Sequence, residues 1–376
     1  MADVGLKGPA APDRKRFSFN RLFASPDFQR RMASFPLVGR LVRREGEAMF
    51  DLVAGFCHSQ ILQALMKLEV FESLLDGPQT SAHLAQRHQI PPERMVILLD
   101  AAVSLGLLKQ RKGHYRLTRR SAAMAGVPGL KGMIAHHDVL YRDLADPVAF
   151  FRGDTEPELA QFWPYVFGAG AAEDPTAAAT YSKLMSDSQA LVAQDTLALT
   201  DLSKVSHVMD VGGGTGAFLA HVGQAYSDIR MTLFDLPAVV SNATERFASL
   251  GMADRVSVMP GSFRDDPLPQ GADVISLVRV LYDHSDETVL ALLQAVRRAL
   301  RPNGQILISE PMTGGDDPHR AGNAYFALYC LAMKTGRARS ASEITALLVQ
   351  AGFKNVTAPK SRRPFVTTAI MAVNPA

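Results

Sequence analysis

The chain is short of cysteine, of net charge and of long apolar runs, and each shortage closes off a class of protein. Only Cys57 and Cys330 occur among 376 residues. They lie far apart and form no C-x-x-C pair, so neither a disulfide framework nor a cysteine-rich metal site is expected, and a reducing cytoplasm fits best. A formal net charge of +3 gives the chain as a whole no pull toward nucleic acid or an anionic membrane. No stretch reaches the roughly eighteen consecutive apolar residues of a membrane span, and Met1 to Arg16 carries Gly, Pro and charge where a secretory signal has its apolar core. The sequence therefore reads as neither spanning nor crossing a membrane. What is present is an ordinary globular composition, 47% hydrophobic and 20% charged, long enough for two or three packed units.

Four segments follow from the local texture. Residues 1–44 are basic: from Lys7 to Arg44 there are ten Lys or Arg against Asp13 and Asp27. This arm has two readings, a solvated and partly disordered tail or adhesion to an acidic lipid surface at the inner membrane. Residues 45–120 have helical spacing, with Ile61, Leu62, Leu65, Leu68 and Val70 on one face and Met95, Leu98, Leu99, Ala102 and Leu105 on another. A hairpin signature closes the segment: Leu105 to Lys109, a turn at Lys112-Gly113, then His114 to Thr118. Three helices and a hairpin make a winged helix. The stretch Pro91 to Ser104, where such a module would read DNA, offers only Glu93 and Arg94 before turning apolar, so packing or dimerisation is expected and nucleic acid is not. Residues 121–203 read as a helical connector, with an aromatic cluster of Phe150, Phe151, Phe162, Trp163, Tyr165 and Phe167 that is either core or a cap over an apolar ligand.

From residue 204 to 376 short apolar runs alternate with amphipathic helices, the pattern of a parallel α/β sheet. Strands are expected at His207 to Val211, Arg230 to Phe234, Val256 to Met259, Val274 to Leu277 and Gln305 to Ser309. The helix expected from Ser285 to Leu300 has its acids early and Arg297 and Arg298 late, as the helix dipole favours.

The most informative stretch is Val208-Met-Asp210-Val-Gly212-Gly213-Gly214-Thr-Gly216. An apolar strand ends in an acid and a glycine turn, so a bulky ligand can approach the main chain where open sheets bind ligands. About twenty residues on, Met231 to Phe234 ends in Asp235 and Leu236-Pro237, and a carboxylate there can accept both ribose hydroxyls of an adenosine. The pattern Gly212-x-Gly214-x-x-Ala217 also matches the nicotinamide-dinucleotide fingerprint. Asp210 weighs against that reading, because a carboxylate before the glycines repels a diphosphate and can pair with an ammonium.

With Asp235-Leu-Pro, Gly261-Ser262-Phe263, Leu281-Tyr282-Asp283-His284 and the helix-rich N-terminal module, the chain resembles the plant caffeate-type O-methyltransferase family from about Glu45 to Phe353. The resemblance implies a class I methyltransferase fold: Rossmann-like α/β with a mostly parallel seven-stranded sheet, and an N-terminal α-helical winged-helix dimerisation domain. It implies a metal-independent homodimer with S-adenosylmethionine as cofactor. Asp210, Gly212, Gly213 and Gly214 would hold its methionine end, Asp235 and Leu236 its ribose and adenine, and Ser262 and Phe263 the adenine edge, with Gly216 also among the cofactor-binding residues and Arg279 near a basic position that also faces it. Tyr181 to Gln189 and Val280 to His284 look like the purple-bacterial carotenoid branch, which implies a hydroxylated acyclic carotenoid as acceptor. Another secondary metabolite, a phenolic polyketide or a tetrapyrrole, is the alternative in the same class; a winged-helix regulator that senses a ligand is the alternative outside it.

At the base the family pattern breaks. Caffeate-type enzymes place a His where Tyr282 stands, and of the two glutamates that hold it Glu310 is present while Ala338 replaces the other. A tertiary alcohol is far less acidic than a phenol, so deprotonation before attack is not expected. Tyr, with a pKa of about 10, is a poor base near neutrality, whereas His at about 6.5 suits. His284 is therefore the catalytic candidate, its bland alternative being a structural histidine at a helix start, with Tyr282 as hydrogen-bond donor or relay and Glu310 behind it. In His136-His137-Asp138 either histidine could serve instead; adjacent histidines diverge on a helix, so no metal is expected there. The acceptor wall is assigned to Met185, Tyr329, Met333 and His136.

Overall fold

The computed structural model describes residues 19–35, 38–162 and 188–376. Its N-terminal part opens with helices Phe19–Phe23, Pro26–Ser34 and Gly39–Lys67. The basic arm expected to be partly disordered is thus helical over its described residues, and the break expected after Arg44 falls inside the longest helix. Helices Ser81–Arg87 and Pro92–Ser104 follow, with a small antiparallel sheet of β1 (Gln79–Thr80), β2 (Leu108–Arg111) and β3 (His114–Leu117) in the order β1-β3-β2. Leu65, Met66, Phe71, Leu84, Met95, Leu99 and Tyr115 form the core of this module. The Tyr115 phenol is buried but donates to Asp100 (2.8 Å), which satisfies its one polar group.

Helices Leu130–Asp143, Pro147–Arg152 and Glu158–Phe162 form the connector. Of the aromatic cluster, Phe150 is core and Phe151 is exposed; Trp163, Tyr165, Phe167, Met185 and the Phe162 side chain lie outside the described residues. Leu140, Phe150 and Leu159 pack on Tyr329, Ala332 and Met333, so the connector rests on the C-terminal part through an apolar contact.

The large sheet comprises β4 (His207–Val211), β5 (Arg230–Asp235), β6 (Val256–Pro260), β7 (Ala272–Val278), β8 (Leu300–Glu310), β9 (Lys354–Thr357) and β10 (Thr368–Val373). Its order is β6-β5-β4-β7-β8-β10-β9. The first five strands pair in parallel, and β10 runs antiparallel to both neighbours. This is the class I methyltransferase sheet. The five expected strands are all present, β4 with the expected bounds and the other four longer by one to six residues. Every side chain of β7 is buried, as a strand covered by helices on both faces requires. The helix Asp286–Ala299 is capped by Ser285, whose hydroxyl accepts from Thr288 N–H (3.3 Å), and buries Val289, Leu292, Leu293 and Val296.

Candidate active site

All the residues of the glycine motif collect at the carboxyl edge of the sheet, where β4 leaves it. Asp210 pairs across to Leu233 on one side and Ser276 on the other, so its side chain is fully buried. Ser276 Oγ donates to Oδ1 (2.6 Å), while Oδ2 has no partner. Burial, with the nearby Asp235 charge, pushes this carboxyl up to about 7 against the pull of the Ser276 hydroxyl.

The turn that follows is shaped by what cannot be there. Gly212, at φ 70°, donates its N–H to Phe234 O (2.8 Å), and a β-carbon on it would press Val280 Cγ2 at 2.8 Å. At Gly213 a β-carbon would collide with the Asp210 carboxylate and Leu233. Gly214, at φ 63°, faces open space, and its N–H donates to Asp235 Oδ2 (2.7 Å). Leu236 N–H donates to the other oxygen (2.7 Å). Asp235 is thereby locked across the turn with its carboxylate at the ligand edge. Beyond the end of β6, Gly261 N–H donates to Asp235 O (2.9 Å). This brings Ser262 and Phe263 to the same edge, Ser262 donating to Asp265 (2.8 Å).

A cradle without side chains beside an unpartnered buried carboxylate oxygen fits a ligand that carries both an ammonium and a ribose. S-adenosylmethionine has that donor set; a dinucleotide diphosphate would put charge of the same sign against Asp210.

The second half of the site hangs on β7 and β8. Arg279, at φ 60°, follows β7 and donates from its guanidinium to Ser188 Oγ (2.8 Å) and to Tyr282. Glu310 ends β8 and accepts from Val280 and Leu281 N–H (both 2.8 Å), while its second oxygen has no partner. Burial pushes it up to about 7, opposed by these N–H groups and by Arg279. Glu310 therefore holds the backbone of the Leu281–Asp283 turn rather than a catalytic imidazole.

His284 does not fit the role of base expected for it. Arg264 places a guanidinium nitrogen 3.0 Å from its Nδ1; an arginine only donates, so Nδ1 accepts and has no lone pair left for a substrate proton. Phe263 packs edge-on against the ring at 5.2 Å. Burial, then Arg264 and Arg339, push the imidazole down to about 4, and Arg339 donates to its carbonyl (2.8 Å). These contacts hold the ring within the protein and leave Nδ1 engaged.

The other histidine pair does converge on the site. His136 Nε2 lies 2.9 Å from Tyr329 Oη and His137 Nε2 lies 2.6 Å from Tyr325 Oη. Asp138 turns away to Gln63 (2.7 Å) and Lys67. Met333 is buried beside Tyr329. Sequence reasoning missed Ser276 and Arg264 as contributors, whereas His137 was weighed as a base and Tyr325 is the further aromatic residue of the same helical stretch. Nothing local marks these two, since each is defined only by a partner in a distant element. Among the described residues no group of His, Cys, Asp or Glu is arranged to hold a metal ion.

Comparison with known proteins shows the family. Residues 141–354 match the O-methyltransferase domain and residues 50–126 the O-methyltransferase dimerisation domain. The chain belongs to the O-methyltransferase family, and its cofactor is S-adenosylmethionine. It is 54% identical to demethylspheroidene O-methyltransferase of Cereibacter sphaeroides, covering 94% of both chains. With the enzyme of the same name from Rhodobacter capsulatus the identity is 51%, over 97% of this chain and 91% of that one. Human N-acetylserotonin methyltransferase in complex with S-adenosylmethionine superposes with a TM-score of 0.72 at 27% identity, covering 88% of this chain and 98% of that one.

Proposed function

We propose that this enzyme methylates the tertiary hydroxyl of an acyclic carotenoid of the demethylspheroidene or hydroxyneurosporene type, as a homodimer, within carotenoid biosynthesis. The identity of 54% over 94% of the chain with a demethylspheroidene O-methyltransferase carries the reading. The altered base position supports it independently. With Tyr282 where a phenol-methylating relative has its histidine, and with His284 committed to Arg264, no base stands poised at that position to ionise an acceptor before attack. An alcohol does not need one.

Bound S-adenosylmethionine supplies an already activated methyl group on a positively charged sulfur. The protein has to bind, orient and exclude water. Asp210 offers its free oxygen to the ammonium, Asp235 its carboxylate to the ribose hydroxyls, and the Gly212 to Gly214 turn the room for both. Met333 and Tyr329 form the described part of an apolar wall for the polyene, to which Met185 is also assigned. In-line positioning of the acceptor oxygen then lowers the barrier by removing orientational freedom, worth up to about 7–11 kcal/mol in favourable systems.

A panel of hydroxylated acyclic carotenoids, catechols and chlorophyll precursors, offered with donor labelled in its methyl group, tests the reading. Label is expected in the hydroxycarotenoids. Label confined to a phenol or a tetrapyrrole would overturn it.

Two surface features bear on partners. Met49, Phe50, Leu52, Val53 and Phe56 are exposed along one helix within or beside the dimerisation domain, and a second copy would cover them. Before them Phe19, Phe23, Phe35 and Leu41 are also exposed, interleaved with Arg21, Arg30, Arg31, Arg40, Arg43 and Arg44. Apolar rings among arginines suit an anionic membrane surface, each cation adding about 1 kcal/mol there. Among the described residues no helix is long and apolar enough to cross a membrane. Removing residues 1–38 is expected to reduce sedimentation with anionic vesicles and to leave donor binding intact. Unchanged sedimentation would refute the membrane contact.

A further inference from the structure

The reading of the acceptor as an alcohol leaves one proton without a destination, and the following inference rests on that reading. We propose that Tyr325 and His137 form the proton exit of the reaction: the acceptor hydroxyl docks on the Tyr325 phenol, and its proton leaves through Tyr325 Oη to His137 Nε2.

Position is the first argument. A β-carbon at Gly212 would press Val280, so Val280 packs against the cofactor turn. Two residues on, Tyr282 packs in one cluster with Phe326 and Cys330, and Phe326 and Tyr329 lie against Tyr325. The tyrosines therefore stand beside the turn that leaves β7 at the cofactor edge of the sheet. The 2.6 Å hydrogen bond between His137 and Tyr325 continues that line away from the sheet into the connector helix.

Local geometry singles out this pair. Arg320–Phe326 is a π-helix that passes into the α-helix Ala327–Met333, and π-turns recur at functional sites because they re-aim side chains. Here the turn presents Tyr325 to His137 while Tyr329, four residues on, meets His136. The two phenols differ in burial. Tyr329 packs in the apolar cluster with Leu140, Phe150 and Leu159, whereas Tyr325 is half-buried, as both histidines are. Tyr329 therefore suits the apolar wall and Tyr325 a hydroxyl. Phe326 and Tyr329 flank the Tyr325 ring at 5.0 and 6.3 Å and fix its plane.

The chemistry balances without any further reactant. A lone pair of the acceptor oxygen forms the new C–O bond as the methyl–sulfur bond of the donor breaks, its electron pair staying on sulfur. As positive charge develops on that oxygen, its proton passes to Tyr325 Oη while Tyr325 passes its own proton to His137 Nε2, so that proton loss accompanies methyl transfer. The products are a neutral ether, a neutral thioether, a neutral tyrosine and an imidazolium that later loses its proton to water. Burial lowers the His137 pKa, with the Asp138 charge opposing it. A weak base of this kind cannot ionise an alcohol in advance, yet a protonated ether is so strong an acid that a neutral imidazole takes its proton readily. Groups that face His137 are Tyr325 with Arg279 behind it, His136 with Tyr329, and Asp138, which Lys67 and Gln63 already hold.

Tyr325 is on this assignment the catalytic residue and His137 a positioning residue that acts through it. The test is the single-turnover rate of the full-length enzyme with saturating S-adenosylmethionine and a hydroxylated acyclic carotenoid in micelles. Tyr325→Phe removes one oxygen and keeps the ring; it is expected to slow methyl transfer about 100-fold or more while S-adenosylhomocysteine affinity stays within about twofold. His137→Gln is expected to slow transfer similarly and to remove the solvent deuterium isotope effect expected of the wild type, which loss of packing alone would not do. Should His137→Gln fail to fold, Tyr325→Phe decides alone. A Tyr325→Phe enzyme that methylates the carotenoid at the wild-type rate overturns the relay and leaves the proposed function standing, because wild-type methylation is read in the same assay.

Discussion

Asp210→Asn is expected to weaken S-adenosylmethionine binding about 100-fold, from the roughly 2–5 kcal/mol lost when one member of a buried charge pair is neutralised, and at the same time to stabilise the free protein above neutral pH. The two effects have one cause. In the free enzyme the carboxylate is fully buried and Oδ2 has no partner, so its charge is costly. Its pKa is pushed up to about 7, well above about 3.9 for an unfolded chain. A raised carboxyl pKa means stability that is complete below about pH 4 and is lost as pH rises through 7. Asparagine keeps an oxygen for the Ser276 hydroxyl, carries no charge, and should flatten that decline. Glu310, also near 7, declines equally in both proteins, so the difference between their melting curves isolates Asp210. Calorimetry and thermal unfolding of the pair measure both halves; a variant that binds the cofactor as tightly as wild type would remove Asp210 from the site.

Gly216→Ala should cost the fold more than any other single methyl in the turn, while Gly214→Ala should spare the fold and cost binding. At Gly216 the backbone is left-handed, φ 79°, and the new methyl would run into Phe247, a ring that is itself buried. Strain of about 1–2 kcal/mol from the conformation adds to about 1–3 kcal/mol from overpacking, which lowers the melting temperature by about 5–15 °C in a domain of this size. Gly214 has φ 63° but open space on its Cβ side, so only the conformational strain applies. That open space is where the account places the ligand, and a methyl group there should raise the S-adenosylmethionine dissociation constant about tenfold or more. Equal melting temperatures for the two variants, measured by calorimetry, would mean that the turn is not built as described.

The cofactor half of this site was legible because it is local. Asp210, the glycines and Asp235 sit within one strand-turn-helix-strand unit, and the spacing places them at the edge of the sheet, while Asp210 and the Asp235-Leu-Pro continuation separate the cofactor reading from a dinucleotide. The helix Asp286–Ala299 was legible for the same reason, since periodicity, cap and charge all lie within it. The catalytic half was not. Whether His284 can accept a proton depends on Arg264, which belongs to a different loop, and no spacing rule joins them. Adjacent histidines at 136 and 137 looked divergent; a π-turn in the facing segment lets both find tyrosines. Strands β9 and β10 rested on the family resemblance, because Lys354–Thr357 is short and polar and its pairing partner is antiparallel. The charge of the arm left two readings, a partly disordered tail or adhesion to an acidic surface, and did not reveal that its described residues form helices with Phe19, Phe23 and Phe35 exposed.

The claim on which the rest depends is that a buried, half-satisfied carboxylate at the end of β4 receives the ammonium of a sulfonium nucleoside. Its most direct test is calorimetric titration of the wild-type enzyme with S-adenosylhomocysteine at about pH 5.5 and about pH 7, each in two buffers of different ionisation enthalpy. Because the incoming ammonium must displace a proton from Asp210, the account predicts about one proton released per ligand at the lower pH and an affinity roughly tenfold higher at the upper one. Equal affinity at both values with no proton exchanged would contradict it.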